Sequence, residues 1–122
     1  MYICKLKGKI HGAKVTDASV EYEGSLTIDP DLMEAANIAS YEKVSVWSLT
    51  SGERLETYAI PGRAGMREIC TNGAAALRIK KGEKVIIAVF AWMDEEEEKK
   101  HLPRVVFVDE SNRISRKITG GQ

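Results

Sequence analysis

The sequence predicts a mainly β domain, a small barrel or sandwich with short helices, and three observations carry that prediction. Period-two alternation runs through "YICKLKGKIH" near the N-terminus, which puts Lys5, Lys7, Lys9 and His11 on one face of a strand and Cys4, Leu6, Gly8 and Ile10 on the other. Turn signals recur between short apolar segments, at Ser51-Gly52, Asn72-Gly73 and "KKGE". The longest apolar run, "VIIAVFAWM" from Val85 to Met93, has the length of a strand and falls far short of the ~20 residues a membrane helix needs.

After the first strand, "EYEGSLTID" (residues 21–29) begins another, but Gly24-Ser25 interrupts it. Glycine in a strand costs backbone entropy and packs nothing, so its presence there calls for a cause. Asp29 then suits an N-cap and Pro30 the first helical position, with Leu32, Met33 and Ala36 on one side of a two-turn helix. "EKVSVWSLT" and "ERLETYAIPG" flank Ser51-Gly52 as a hairpin, in which Arg54, Glu56 and Tyr58 share one face and Leu55, Thr57 and Ala59 the other. "CTNGAAALRI" reads as a turn opening a short helix, and strands follow from Val85 and from Arg104. "DEEEEKK" (94–100) is a solvated loop or helix end without chemistry, and the polar tail from Asn112 to Gln122 is expected to be disordered.

Composition excludes several function classes. The 122 residues suit one domain, small enough to gain from association with its own copies. Eighteen basic and eighteen acidic residues cancel, so no net field favours nucleic acid or an anionic membrane. Cys4 and Cys70 form no CxxC pair, and with only His11 and His101 beside them no metal site is expected. Lys5, Lys7 and Lys9 stand where a signal peptide would need an apolar core, so the expectation is a soluble, cytoplasmic protein.

Gly24-Ser25 admits a specific chemistry. A serine hydroxyl can attack the carbonyl before it in a strained turn, giving an ester by N-to-O acyl shift; β-elimination then splits the chain, and hydrolysis of the dehydroalanine leaves a pyruvoyl ketone at residue 25. Gly-Ser alone is far too common to establish this. Around it, however, "GKIHGAKVTDASVEYEGSLTID", "ERLETYAIPG", "TNGAAA" and "GEKVIIA" follow one another in an order and spacing similar to those of the pyruvoyl-dependent aspartate 1-decarboxylases, which the chain resembles along nearly its whole length.

That resemblance implies a double-psi β-barrel over residues 1–122, cut between Gly24 and Ser25 into chains 1–24 and 25–122, and a homotetramer with active sites between subunits. It implies decarboxylation of L-aspartate to β-alanine for pantothenate and coenzyme A synthesis, the substrate amine condensing with the pyruvoyl ketone derived from Ser25. By the same carry-over Lys9 and Arg54 hold the substrate carboxylates, Asn72, Gly73, Ala74 and Ala75 line its pocket, Tyr58 returns a proton as general acid, and Thr57 assists cleavage by bonding the Gly24 carbonyl. His11, Tyr22 and Trp47 sit near the site. Ile3 and Gly12 stand where the family often carries arginine, and Met66 where a small polar residue is usual. Two alternatives stay open: a non-catalytic small β-barrel that binds an acid or a protein, and a pyruvoyl decarboxylase of another amino acid. Processing can also require a maturation helper.

Overall fold

The computed structural model describes residues 1–22 and 24–120. Among the described residues, nine strands and three short helices follow in the order β1 (Ile3–Lys14), β2 (Asp17–Ser19), β3 (Leu26–Ile28), α1 (Pro30–Ala36), β4 (Lys43–Ser48), β5 (Arg54–Pro61), β6 (Ile69–Asn72), α2 (Ala75–Arg78), β7 (Lys84–Met93), α3 (Glu95–Lys100), β8 (Arg104–Val108) and β9 (Ile114–Thr119). Hydrogen bonding orders the strands β2-β6-β3-β5-β4-β7-β1-β8-β9. The pairs β1/β8, β2/β6 and β3/β5 are parallel and the others antiparallel. This is the mainly β class predicted, and its crossed connectivity is consistent with a small β-barrel. Leu26, Ile28, Val44, Val46, Ile69 and Ile87 meet in one core, all fully buried.

The first strand corrects the expected pattern. Its pairing with β7 slips between Leu6 and Gly8 and again between His11 and Ala13, so Lys7 and Gly12 are bulge residues. Gly12 takes a φ of 84°, a left-handed conformation that glycine adopts without penalty. Because each bulge inserts one residue, strict alternation fails: Cys4 and Leu6 lie opposite Trp92 and Phe90, on the same outward face as Lys9 and His11 and not with Gly8 and Ile10. The bulge also turns Lys7 away from that face, toward a half-buried ion pair with Glu42 at 2.8 Å.

Gly8 is where α1 closes over the sheet. A Cβ there would overlap the Ala36 carbonyl oxygen and stand 3.2 Å from that of Arg104. Both obstacles are backbone and cannot rotate aside, so Gly8→Ala is expected to lower stability by about 3 kcal/mol through overpacking. Urea denaturation at fixed protein concentration measures it; an unchanged midpoint would show that α1 yields freely.

Helix α1 begins and ends as its sequence dictates. The Asp29 carboxylate accepts from the Asp31 amide at 2.9 Å, and it also ties down the loop before β6 through the amides of Arg67 at 2.6 Å and Gly65 at 3.3 Å. Asn37 closes the helix in a left-handed conformation, φ 62°. Acidic residues 95–98 open α3, capped reciprocally by Asp94 and Glu97.

The tail is a second correction. From Ile114 to Thr119 it forms β9, an antiparallel edge strand on β8. Buried Asn112 anchors the turn before it, accepting from the Lys14 amide at 2.7 Å and donating to the carbonyls of Lys14 and Arg67 at 2.9 and 3.1 Å. The expectation of disorder thus fails through residue 119, and its last two positions lie outside the described residues.

Candidate active site

Ser25 stands immediately before β3, which is clasped between β5 and β6. Two properties set it apart. It is only 2% exposed, and its φ is 95°, a left-handed backbone conformation that a side chain disfavours. Such a conformation costs of order 1–3 kcal/mol and persists only where surrounding contacts enforce it.

Those contacts come from Asn72 at the end of β6. Its amide N–H donates to the Ser25 carbonyl at 3.0 Å, and its side-chain Nδ2 donates to Ser25 Oγ at 3.2 Å and to Thr27 Oγ1 at 2.9 Å. One residue therefore holds the serine at both backbone and hydroxyl. Next to it, Gly73 turns the chain with a φ of 64°, and its N–H donates to the Ser19 carbonyl at 2.7 Å.

A cavity of about 250 Å³ opens beside this arrangement, lined by Gly24, Ser25, Thr57, Asn72, Ala74 and Ala75, with Leu55, Glu56 and Arg78 completing the wall. The structure thus gathers six of the residues expected at the site. A larger cavity of about 460 Å³, near Asp31, Glu34, Arg104 and Lys117, contains none of them. Tyr58 lies on the opposite face of β5 from Thr57, yet its hydroxyl comes within 3.9 Å of where a Gly24 Cβ would stand. Tyr22 is exposed, and its carbonyl oxygen borders Gly73.

Lys9, His11, Trp47 and Arg54 do not line this cavity in the same chain. Register places them together on the outward face that crosses β1, β7, β4 and β5, where Trp47 opposes Arg54 and both Lys9 and Ser45 oppose Ala88. There the Arg54 guanidinium sits 4.5 Å from the Trp47 ring centre, and both border an open recess with Ser45. Trp92 and Phe90 belong to this face and are 72% and 42% exposed.

Four residues at the site lie outside the expected set: Thr27, Leu55, Glu56 and Arg78. Thr27 shares a face with Ser25 two residues earlier, and Glu56 sits between Leu55 and Thr57 at the cavity wall. Arg78 is three residues beyond Ala75, one turn along the same side of α2, which is a signal that spacing could have given. Its guanidinium pairs with Glu53 at 3.2 Å in an exposed bridge.

On the outward face, His11 has a buried Nδ1 without a hydrogen-bond partner among the described residues, and its ring lies 5.3 Å from that of Phe107. Burial, then the positive charges of Lys9 and Lys84, push its pKa below the ordinary 6.5. Because the folded chain binds that proton less readily than the unfolded one, His11 contributes nothing above pH 6.5 and subtracts stability as pH falls below it. Its NMR titration midpoint, assigned with His101→Gln, is expected below 6.5 and should rise in Lys9→Met. A midpoint at or above 6.5 would mean that neither burial nor Lys9 governs the ring.

Among the described residues there is no group of three or more side chains able to hold a metal ion, and no helix is long and apolar enough to cross a membrane. The profile of the family described as Aspartate decarboxylase matches residues 1–115. An aspartate 1-decarboxylase of Ruminiclostridium cellulolyticum is 56% identical over 117 residues, covering 96% of this chain and 91% of its own. One from Clostridium kluyveri is 52% identical, over 93% and 90% of the two chains, and one from Myxococcus xanthus 56%, over 88% and 83%.

Proposed function

Because this chain belongs to the aspartate decarboxylase family, we propose that it converts L-aspartate to β-alanine and carbon dioxide with a pyruvoyl group made from its own Ser25. The observation that carries the proposal is a buried serine at φ 95°, held at its carbonyl and hydroxyl by Asn72 and preceded by glycine. These are the local conditions that self-cleavage needs. Backbone strain sits beside the bond to be broken, and Asn72 fixes the direction of the nucleophilic oxygen. Attack by Oγ on the Gly24 carbonyl carbon expels the Ser25 nitrogen; elimination releases Gly24 as a carboxylate, and one water converts the dehydroalanine to pyruvoyl and ammonia. No oxidant or reductant is consumed.

The pyruvoyl ketone, once formed, supplies an electron sink for the pair left when the substrate carboxylate departs. This chain's residues bind and move protons around it. Thr57, on the cavity wall, donates to the developing Gly24 oxyanion during cleavage, and the Tyr58 hydroxyl returns a proton during turnover. Asn72, Gly73, Ala74 and Ala75 shape the substrate pocket. Lys9 and Arg54 provide the cations that a dicarboxylate requires, Arg54 as a two-point clamp. Since they occupy the outward sheet face with exposed Trp92 and Phe90, the complete site forms between subunits of a homotetramer, and one copy's outward face brings Lys9, Arg54, His11 and Trp47 to another's Ser25. The role extends to pantothenate and coenzyme A synthesis in the cytoplasm, with maturation either spontaneous or assisted by a helper.

Intact-mass measurement of the purified protein, paired with carbon dioxide release, tests this. Two pieces divided after residue 24 and activity on aspartate are expected. An uncut chain that makes β-alanine would overturn the pyruvoyl origin, and faster turnover of glutamate than of aspartate would overturn the substrate.

A further inference from the structure

We infer that Gly73 is a positioning residue for self-cleavage, because its missing side chain is the space in which the backbone of Gly24 must lie. The inference rests on the proposed cut between Gly24 and Ser25 and deepens it. A Cβ at Gly73 would stand 2.8 Å from the Gly24 nitrogen, 2.9 Å from its Cα and 3.0 Å from the Tyr22 carbonyl oxygen. All three are backbone atoms, so relief requires displacing the turn itself. Ser25 cannot follow that displacement freely, since the adjacent residue, Asn72, holds its carbonyl at 3.0 Å and its Oγ at 3.2 Å. Gly73 is itself fixed by its 2.7 Å bond to the Ser19 carbonyl.

The two neighbours thus act on the two sides of one peptide bond. Asn72 secures the attacking serine, and Gly73 leaves room for the carbonyl-bearing glycine to approach it. A side chain at 73 pushes Gly24 away while Ser25 stays, which lengthens the distance that the hydroxyl must cross. A misplacement of about 1 Å can cost ~10²-fold in rate.

The φ of 64° at Gly73 raises a competing explanation, that glycine is needed only for its backbone conformation. Asparagine separates the two, because it tolerates left-handed φ better than other residues yet carries a Cβ. Gly73→Asn and Gly73→Ala are therefore both expected to fold, judged by circular dichroism, and to cleave ~10²-fold more slowly than the parent in a time course of intact mass. If Gly73→Asn cleaves at the parental rate, the space is not the requirement and the inference fails. It also fails if both variants are insoluble, since the contact would then serve folding as a whole. The parent run alongside keeps this separate from the functional proposal: a parent that never divides after residue 24 removes the cleavage itself, whereas a parent that divides together with its Gly73 variants removes only the role of Gly73.

Discussion

Ser25→Ala is expected to remain one uncut chain and to release no carbon dioxide from aspartate above background. The substitution deletes the only nucleophile placed directly after the Gly24 carbonyl, so neither the acyl shift nor the ketone can form. It should leave the fold intact. Asn72 Nδ2 keeps one N–H on Thr27 Oγ1 at 2.9 Å while the other loses its 3.2 Å partner, a cost of about 1–3 kcal/mol that the domain can absorb. Intact mass and a decarboxylation assay on the same sample read both outcomes. β-Alanine produced by the uncut variant would end the pyruvoyl explanation.

The second large effect divides two adjacent residues. Thr57 is half-buried on the cavity wall beside Gly24 and Ser25, while Tyr58 lies on the other face of β5 and is 40% exposed. Thr57→Val keeps the side-chain shape and removes the proposed donor to the developing oxyanion, which should slow cleavage by ~10²- to 10³-fold and let uncut chain accumulate. Tyr58→Phe keeps the ring and removes the acidic proton, so cleavage should proceed while turnover falls by ~10²- to 10⁴-fold. Fragment appearance and carbon dioxide release, followed together for each variant, separate the two roles. The opposite pattern, with Tyr58→Phe uncut and Thr57→Val fully active, would show that the division is wrong.

What could be read from the sequence was what local chemistry determines. Asp29 and Pro30 announce α1 because capping is decided within one turn, and β5 alternates as written because no bulge interrupts it. The first strand departs from strict alternation at Lys7 because its bulge depends on register with β7 and on Glu42, 35 positions away. The last strand is not legible in the sequence, since an exposed edge needs no apolar face and its polar composition looks like a tail. The candidate site divides similarly. Gly24-Ser25 is visible as a local oddity, but the Asn72 contacts that constrain it span 47 positions, which no period or spacing reveals. Resemblance names Lys9 and Arg54 and implies sites between subunits, but only the register of β1, β4, β5 and β7 shows that they do not line the serine cavity of their own chain.

The position of β1 between β7 and β8 has a consequence for the order of events in the protein's life. Residues 1–24 carry β1 and β2, so the shorter product of the proposed cut owns a strand from the interior of the sheet rather than a detachable end. Before cutting, that strand finds its neighbours as part of one molecule, a first-order process. Afterwards the same search is between two molecules and depends on their concentration. The proposed cut would therefore have to follow folding, and it would leave a fold far harder to regain once lost. A chain cut as proposed would persist by the slowness of its unfolding, with the cut acting as a one-way step in assembly.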